Sequence, residues 1–103
     1  MNLTKYLPLT ETTLYIMLAL TQPAHGYYIM QKAEELSGGR VRIAAGTMYG
    51  ALENLLSQKL IENVPSTDAR RKLYRISETG KEVLRLEIER LRHIITVAGT
   101  IGF

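Results

Sequence analysis

Gly46-Thr47-Met48-Tyr49-Gly50-Ala51-Leu52-Glu53-Asn54-Leu55 is the stretch that decides how this 103-residue chain is read. Met48, Leu52 and Leu55 recur at intervals of 4 and 3, so they share one side of a helix and predict a core-facing stripe. Thr47 carries the hydroxyl of a good helix cap, and the helix is expected to begin there. Tyr49, Gly50, Glu53 and Asn54 fall off the stripe and give the helix a mixed outer face. Toward the amino terminus, Ile29, Ala33 and Leu36 repeat the 4, 3 spacing and predict a second helix over 26–37, closed by Gly38-Gly39. Arg40-Val41-Arg42-Ile43-Ala44 alternates basic and apolar residues too briefly to decide between a loop and a short strand. Before Pro23 and Gly26, Thr10 caps a first helix over 10–20. Its Leu14/Leu18 and Ile16/Leu20 pairs lie on different sides, which predicts packing around most of its circumference at the centre of the core.

Toward the carboxyl terminus, 60–65 and 72–77 are expected strands flanking the polar turn 66–71, a hairpin with a basic tip. Ser77 caps a last helix from Glu78 to about Ala98, where Leu84, Ile88, Leu91, Ile95 and Ala98 follow one another at 4, 3, 4, 3. That stripe is longer than a small three-helix core can cover, so the last helix is expected to pair with a second copy of the chain. The order is helix, helix, helix, hairpin, long helix: mainly α with a small β-hairpin. Residues 1–77 are read as one domain and 78–103 as a dimerisation helix within the same compact unit.

Composition narrows the function. With 46% apolar and 22% charged residues the chain is an ordinary globular sequence, not a disordered one. It has no cysteine, which excludes disulfides, thiolate nucleophiles and Cys-based metal sites and fits the cytoplasm. The apolar run Leu14–Leu20 is far too short to cross a membrane, and Glu11 spoils a signal-peptide reading. His25 and His93 are the only histidines and stand far apart, so no metal is expected; Gly38-Gly39 lacks the ending of a phosphate loop. No nucleophile, base and orienter occur at a recognisable spacing. Neither an enzyme nor a cofactor is expected.

The net charge of +3 is unevenly placed. Residues 40–75 hold seven Lys and Arg against three Asp and Glu, a net of +4, and the remainder of the chain is at −1. A pair of helices followed by a basic hairpin is the geometry that lays one helix in a DNA major groove while the hairpin follows the phosphates. Arg70, Arg71 and Lys72 would then meet DNA, the bland alternative being a solvated turn.

Four blocks resemble the PadR-type transcriptional regulators, which are winged helix-turn-helix proteins. They are His25-Gly26-Tyr27-Tyr28-Ile29, residues 46–55, Lys59-Leu60-Ile61-Glu62, and Arg70-Arg71-Lys72-Leu73-Tyr74-Arg75-Ile76-Ser77-Glu78-Thr79-Gly80. At one position the chain departs: Lys59 stands where the family usually has Gly, the residue suited to a left-handed turn. The resemblance implies a dimeric repressor on double-stranded DNA, and the single last helix looks like the smaller subfamily, which dimerises through that helix and the first.

On this reading Tyr49 sits in the first turn of the third helix, where its phenol reaches a phosphate or a base edge, or else packs on the wing. Gly50 marks a close approach, Asn54 is a candidate base reader one turn on, and Thr47 is at least a cap. Gly26 and Tyr27 open the second helix, whose amides can hold a phosphate; Tyr28 fits core or surface equally. Such regulators often respond to small aromatic or lipophilic effectors, and Tyr6, Tyr15 and Met17 would line a pocket for one, unless they are simply packed. The competing function is a winged-helix module that uses its basic wing on an acidic protein partner.

Overall fold

A computed structural model describes residues 2–68 and 70–103, and Ala69, within the expected polar turn, lies outside them. Helix α1 spans Glu11–Ala19. Thr10 caps it, its hydroxyl accepting from the Thr13 N–H at 3.1 Å, and Glu11 sits in the positive first turn. Ile16, Met17, Ala19 and Leu20 are buried, while Leu14, Tyr15 and Leu18 pack partly against the same core. The helix without a polar side is therefore central, as its sequence predicts.

Helix α2 covers Gly26–Leu36 and buries Ile29 and Ala33. The segment after it is a loop, which settles the ambiguous alternation: Val41 and Ile43 turn inward, Arg40 and Arg42 outward. Buried Ser37 fixes that loop, its Oγ accepting from the Val41 N–H at 2.9 Å and donating to the Glu34 carbonyl at 3.1 Å.

Helix α3 spans Ala45–Ser57 with Ala44 as its cap, and no side chain caps it. The expected Thr47 cap is thus misplaced; Thr47 is an exposed residue inside the first turn. What sets the start is apolar: Ile43, just before the cap, and Met48, in the fourth position of the helix, are both buried, the positions of a hydrophobic staple. Met48, Leu52 and Leu55 face the core as predicted.

Helices α2 and α3 end in the same way. The Gly39 N–H reaches the Glu34 carbonyl at 2.8 Å and the Leu60 N–H reaches that of Leu55 at 3.0 Å, with a left-handed residue preceding each donor. After α2 that residue is Gly38; after α3 it is Lys59, at φ 61°. The left-handed position that closes α3 is thus held by Lys59 rather than by Gly.

The hairpin is β2 (Ile61–Val64) and β3 (Leu73–Ile76), antiparallel, with Ile61 opposite Ile76 and Val64 opposite Leu73. A further strand, β1 (Ala24–His25), joins the other edge of β3 and gives the order β1-β3-β2. Two residues carry no periodicity, so the sequence does not announce this strand.

Helix α4 runs Glu78–Thr100. Ser77 ties its start to the sheet, accepting from the Gly80 N–H at 3.0 Å and donating to the Lys59 carbonyl at 2.7 Å. Gly80 is required, because a Cβ there would overlap the carbonyl oxygen of Leu60. Further along, Glu87 is 1% exposed; it accepts from the Leu9 N–H at 2.7 Å and pairs with Arg90. The Arg90 hydrogen bond, seconded by Leu9, holds its carboxyl below the usual carboxylate range against the opposing effect of burial. Beyond that point α4 leaves the core behind, with Ile94, Ile95, Val97 and Ile101 exposed. Among the described residues no helix is long and apolar enough to cross a membrane.

Candidate nucleic-acid interface

Three elements converge on one concave groove of about 380 Å³: the start of α2, the side of α3 and the base of the wing. Gly26 and Tyr27 come from α2, Tyr49 from α3, and Arg70, Arg71 and Lys72 from the wing, so six of the nine residues singled out for DNA line a single surface. Tyr27 is 64% and Tyr49 50% exposed, so both rings are open to a partner.

The wing is held by its own backbone contacts. Asp68 accepts from the Arg70 N–H with its carboxylate at 3.0 Å and from the Arg71 N–H with its carbonyl at 3.2 Å. His25 Nδ1 lies 3.0 Å from the Lys72 carbonyl, and since a carbonyl can only accept, Nδ1 carries the proton. These bonds fix the backbone under the cations and leave the cationic heads unspent. Arg42 pairs with Glu34 at 2.9 Å and Arg75 with Glu62 at 3.6 Å. Among the described residues, by contrast, no carboxylate forms an ion pair with Arg70, Arg71 or Lys72. A surface with uncompensated cations attracts polyanions at long range.

Four groove residues carry no assignment from the sequence: Glu53, Leu56, Tyr74 and His25. Glu53 and Leu56 stand four and seven residues after Tyr49, hence on its side of α3, and that spacing is the signal for them. Tyr74 is the buried floor. Burial, with Tyr49 and Glu53 beside it, pushes its phenol above the usual tyrosine range.

The remaining candidates lie elsewhere. Thr47 and Gly50 are exposed on α3 outside the groove. Asn54 lies away from the wing: five residues after Tyr49, it is turned about 140° around the helix and lines a separate hollow with Tyr6, Pro8 and Thr13. Gly26 is buried, with the Tyr49 phenol lying over it. Tyr28, which fits core or surface by sequence, is exposed.

Of the residues expected to line an effector pocket, Met17 is fully buried in the core, and Tyr6 and Tyr15 are half-buried against it. Tyr6 shares its hollow with neither of the other two. Of the expected dimerisation residues, Leu84 is buried, Ile88, Leu91 and Ala98 are half-exposed, and Ile95 is 70% exposed.

The same combination of helices and wing occurs in known proteins. The Transcriptional regulator PadR-like family matches residues 13–86. Among solved structures, a PadR family transcriptional regulator from Eggerthella lenta is 28% identical with a TM-score of 0.66, the match covering 87% of this chain and 80% of that one. A PadR family transcription regulator from Clostridium difficile is 24% identical with a TM-score of 0.69, covering 88% and 96%. A transcriptional regulator from Clostridium thermocellum gives 20% identity and a TM-score of 0.73, covering 90% of each chain. No curated protein matches the sequence significantly. The family match spans most of α1, the start of α4 and, between them, the helix pair and wing that build the groove, and the chain belongs to the PadR-like family of transcriptional regulators.

Proposed function

We propose that this regulator acts as a repressor that binds an inverted-repeat operator as a homodimer, α3 entering the major groove and the wing following the adjacent phosphates. The observation that carries the reading is the groove: two exposed tyrosines and three wing cations brought to one surface by three different elements. Tyr27 and Tyr49 supply contacts to phosphate or base edges, Arg70, Arg71 and Lys72 neutralise phosphates, and Thr47 and Gly50 lie on the exposed front of α3. The small residues Ala44, Ala45, Gly46 and Gly50 there let the helix backbone come close to a partner. Residues 1–77 form the DNA-binding part, and 78–103 form the dimerisation helix through Leu84, Ile88, Leu91, Ile95 and Ala98. A regulator of this kind works beside the chromosome, in the cytoplasm, and the absence of cysteine fits that compartment.

The test is a titration with the duplex upstream of the protein's own gene and with duplexes carrying two half-sites at varied spacing. A two-fold dimer favours centres about 10 base pairs apart, one helical turn, because both reading helices must enter the groove on one side. Binding that ignores spacing and sequence would favour the other reading, a wing that docks on an acidic protein.

A further inference from the structure

Gly26 has no positive φ that would call for glycine, yet any side chain there would press on its neighbours. A Cβ on Gly26 would stand 2.7 Å from Tyr49 Oη, 3.0 Å from Tyr49 Cζ and 3.0 Å from Met48 Cε. Such approaches are shorter than carbon makes to these atoms, so one partner would have to yield. What would yield is side chain rather than backbone: the far end of a half-exposed tyrosine and the terminal methyl of a methionine. Gly26 is also not at a turn that needs a left-handed residue; its φ is not positive, and it occupies the first position of α2, where alanine is at least as good a helix former. The glycine is explained neither by turn geometry nor by helix propensity. It is explained by the phenol above it.

We propose that Gly26 is a positioning residue: its missing side chain makes a slot at the start of α2 that seats the Tyr49 phenol and fixes the direction in which α3 presents it to DNA. The inference rests on the DNA reading of Tyr49 under Proposed function and adds how that side chain is aimed. Tyr49 leaves α3 at its exposed edge, where a phenol free to rotate would lose side-chain entropy on binding. Seated over Gly26 it is already ordered, and one contact surface is shared by the two helices. A methyl at Gly26 would tip the ring out into the groove, at the cost of a small shift of the Met48 terminal methyl, while leaving Leu52 and the rest of the core in place.

The experiment compares Gly26→Ala, Tyr49→Ala and the double variant in the full-length protein, by thermal melting, by titration with the preferred duplex and by NMR of the tyrosine ring resonances. Gly26→Ala should melt close to wild type, shift the Tyr49 ring resonances and weaken binding about 10-fold, the worth of one specific interaction with DNA. The double variant should bind no worse than Tyr49→Ala alone, because the slot acts only through the ring. Gly26→Ala with Tyr49→Phe, which removes the nearest atom, should return the ring resonances of residue 49 toward those of Tyr49→Phe alone. Unmoved ring resonances, or losses that add in the double variant, would overturn the proposal. If Tyr49→Ala loses affinity while Gly26→Ala keeps it, the slot alone is wrong; if Tyr49→Ala binds like wild type, the DNA role of Tyr49 fails and the slot's function falls with it.

Discussion

The groove beside the wing and the far end of α4 are both exposed, and they are made of opposite materials. The groove is concave, lined by phenols and by cations whose backbone is tied down and whose charges are not. The end of α4 projects beyond the core and carries Ile94, Ile95 and Val97 exposed, with exposed Ile101 just past it. A charged concave face keeps well in water until a polyanion arrives, whereas an apolar helix end is costly to leave in water and gains by being covered. One surface thus suits nucleic acid and the other protein, and two-fold pairing through the second would present the first twice.

The largest expected effect therefore comes from the apolar end. Leu91→Asp with Ile95→Asp should convert a dimer to a monomer in light scattering at micromolar concentration, since each charge would be buried unpaired in the interface. DNA affinity should fall with it by about 10²–10⁴-fold, the advantage of two linked half-sites. A wild-type protein that scatters as a monomer would leave the apolar end of α4 without a partner copy.

Next come the two sides of α3. Leu52→Ala should cost about 2–5 kcal/mol of folding free energy by opening a cavity in the core, whereas Tyr49→Ala should leave melting nearly unchanged and weaken operator binding by about 1–3 kcal/mol. Equal drops of melting temperature in the two variants would mean that the faces are wrongly assigned.

Nearer the core, α4 is tied to the amino-terminal segment by Glu87, which accepts from the Leu9 N–H. Because the Glu87 carboxyl is held below its ordinary value in the folded protein, it stabilises the fold above the unfolded-state value of about 4.3, and that stability is lost as pH falls through the lower folded value. Melting curves should show wild type ahead of Glu87→Gln near neutrality and the gap closing under acid conditions. A gap that does not change with pH would deny the charge any part in the tie.

The smallest effect belongs to Glu53, the carboxylate that lines the cationic groove. Glu53→Gln should raise affinity for random duplex about 2–5-fold by removing a repulsion from phosphate. Unchanged affinity would place Glu53 away from the bound backbone.

The fold is legible in the sequence wherever apolar residues repeat. The stripes of α2, α3 and α4 and the all-round apolar α1 announce the helices; the turn residues between two β-rich runs announce the hairpin. Features set by partners distant in sequence are not legible. β1 is a strand because β3 lies beside it, not because Ala24-His25 prefers extension. The start of α3 is set by Ile43 and Met48 entering the core, which outweighs the capping preference of Thr47. The groove is half legible: residue chemistry singles out Tyr49 and the wing cations, but only the angle around α3 separates Asn54 from Tyr49 and joins Glu53 to it. The slot at Gly26 depends on how two helices cross and has no local signal at all.

If the wing cations meet phosphate, duplex binding must weaken with salt in proportion to the contacts they make. Duplex affinity would be measured across a range of salt for wild type and for a variant with Arg70, Arg71 and Lys72 all changed to Gln. The slope of log K against log salt should shrink by about 0.9 for each phosphate that the variant no longer neutralises, several units for a dimer, while the ratio of operator to random-DNA affinity changes much less. An unchanged slope would contradict the account, leaving the basic wing free for an acidic protein.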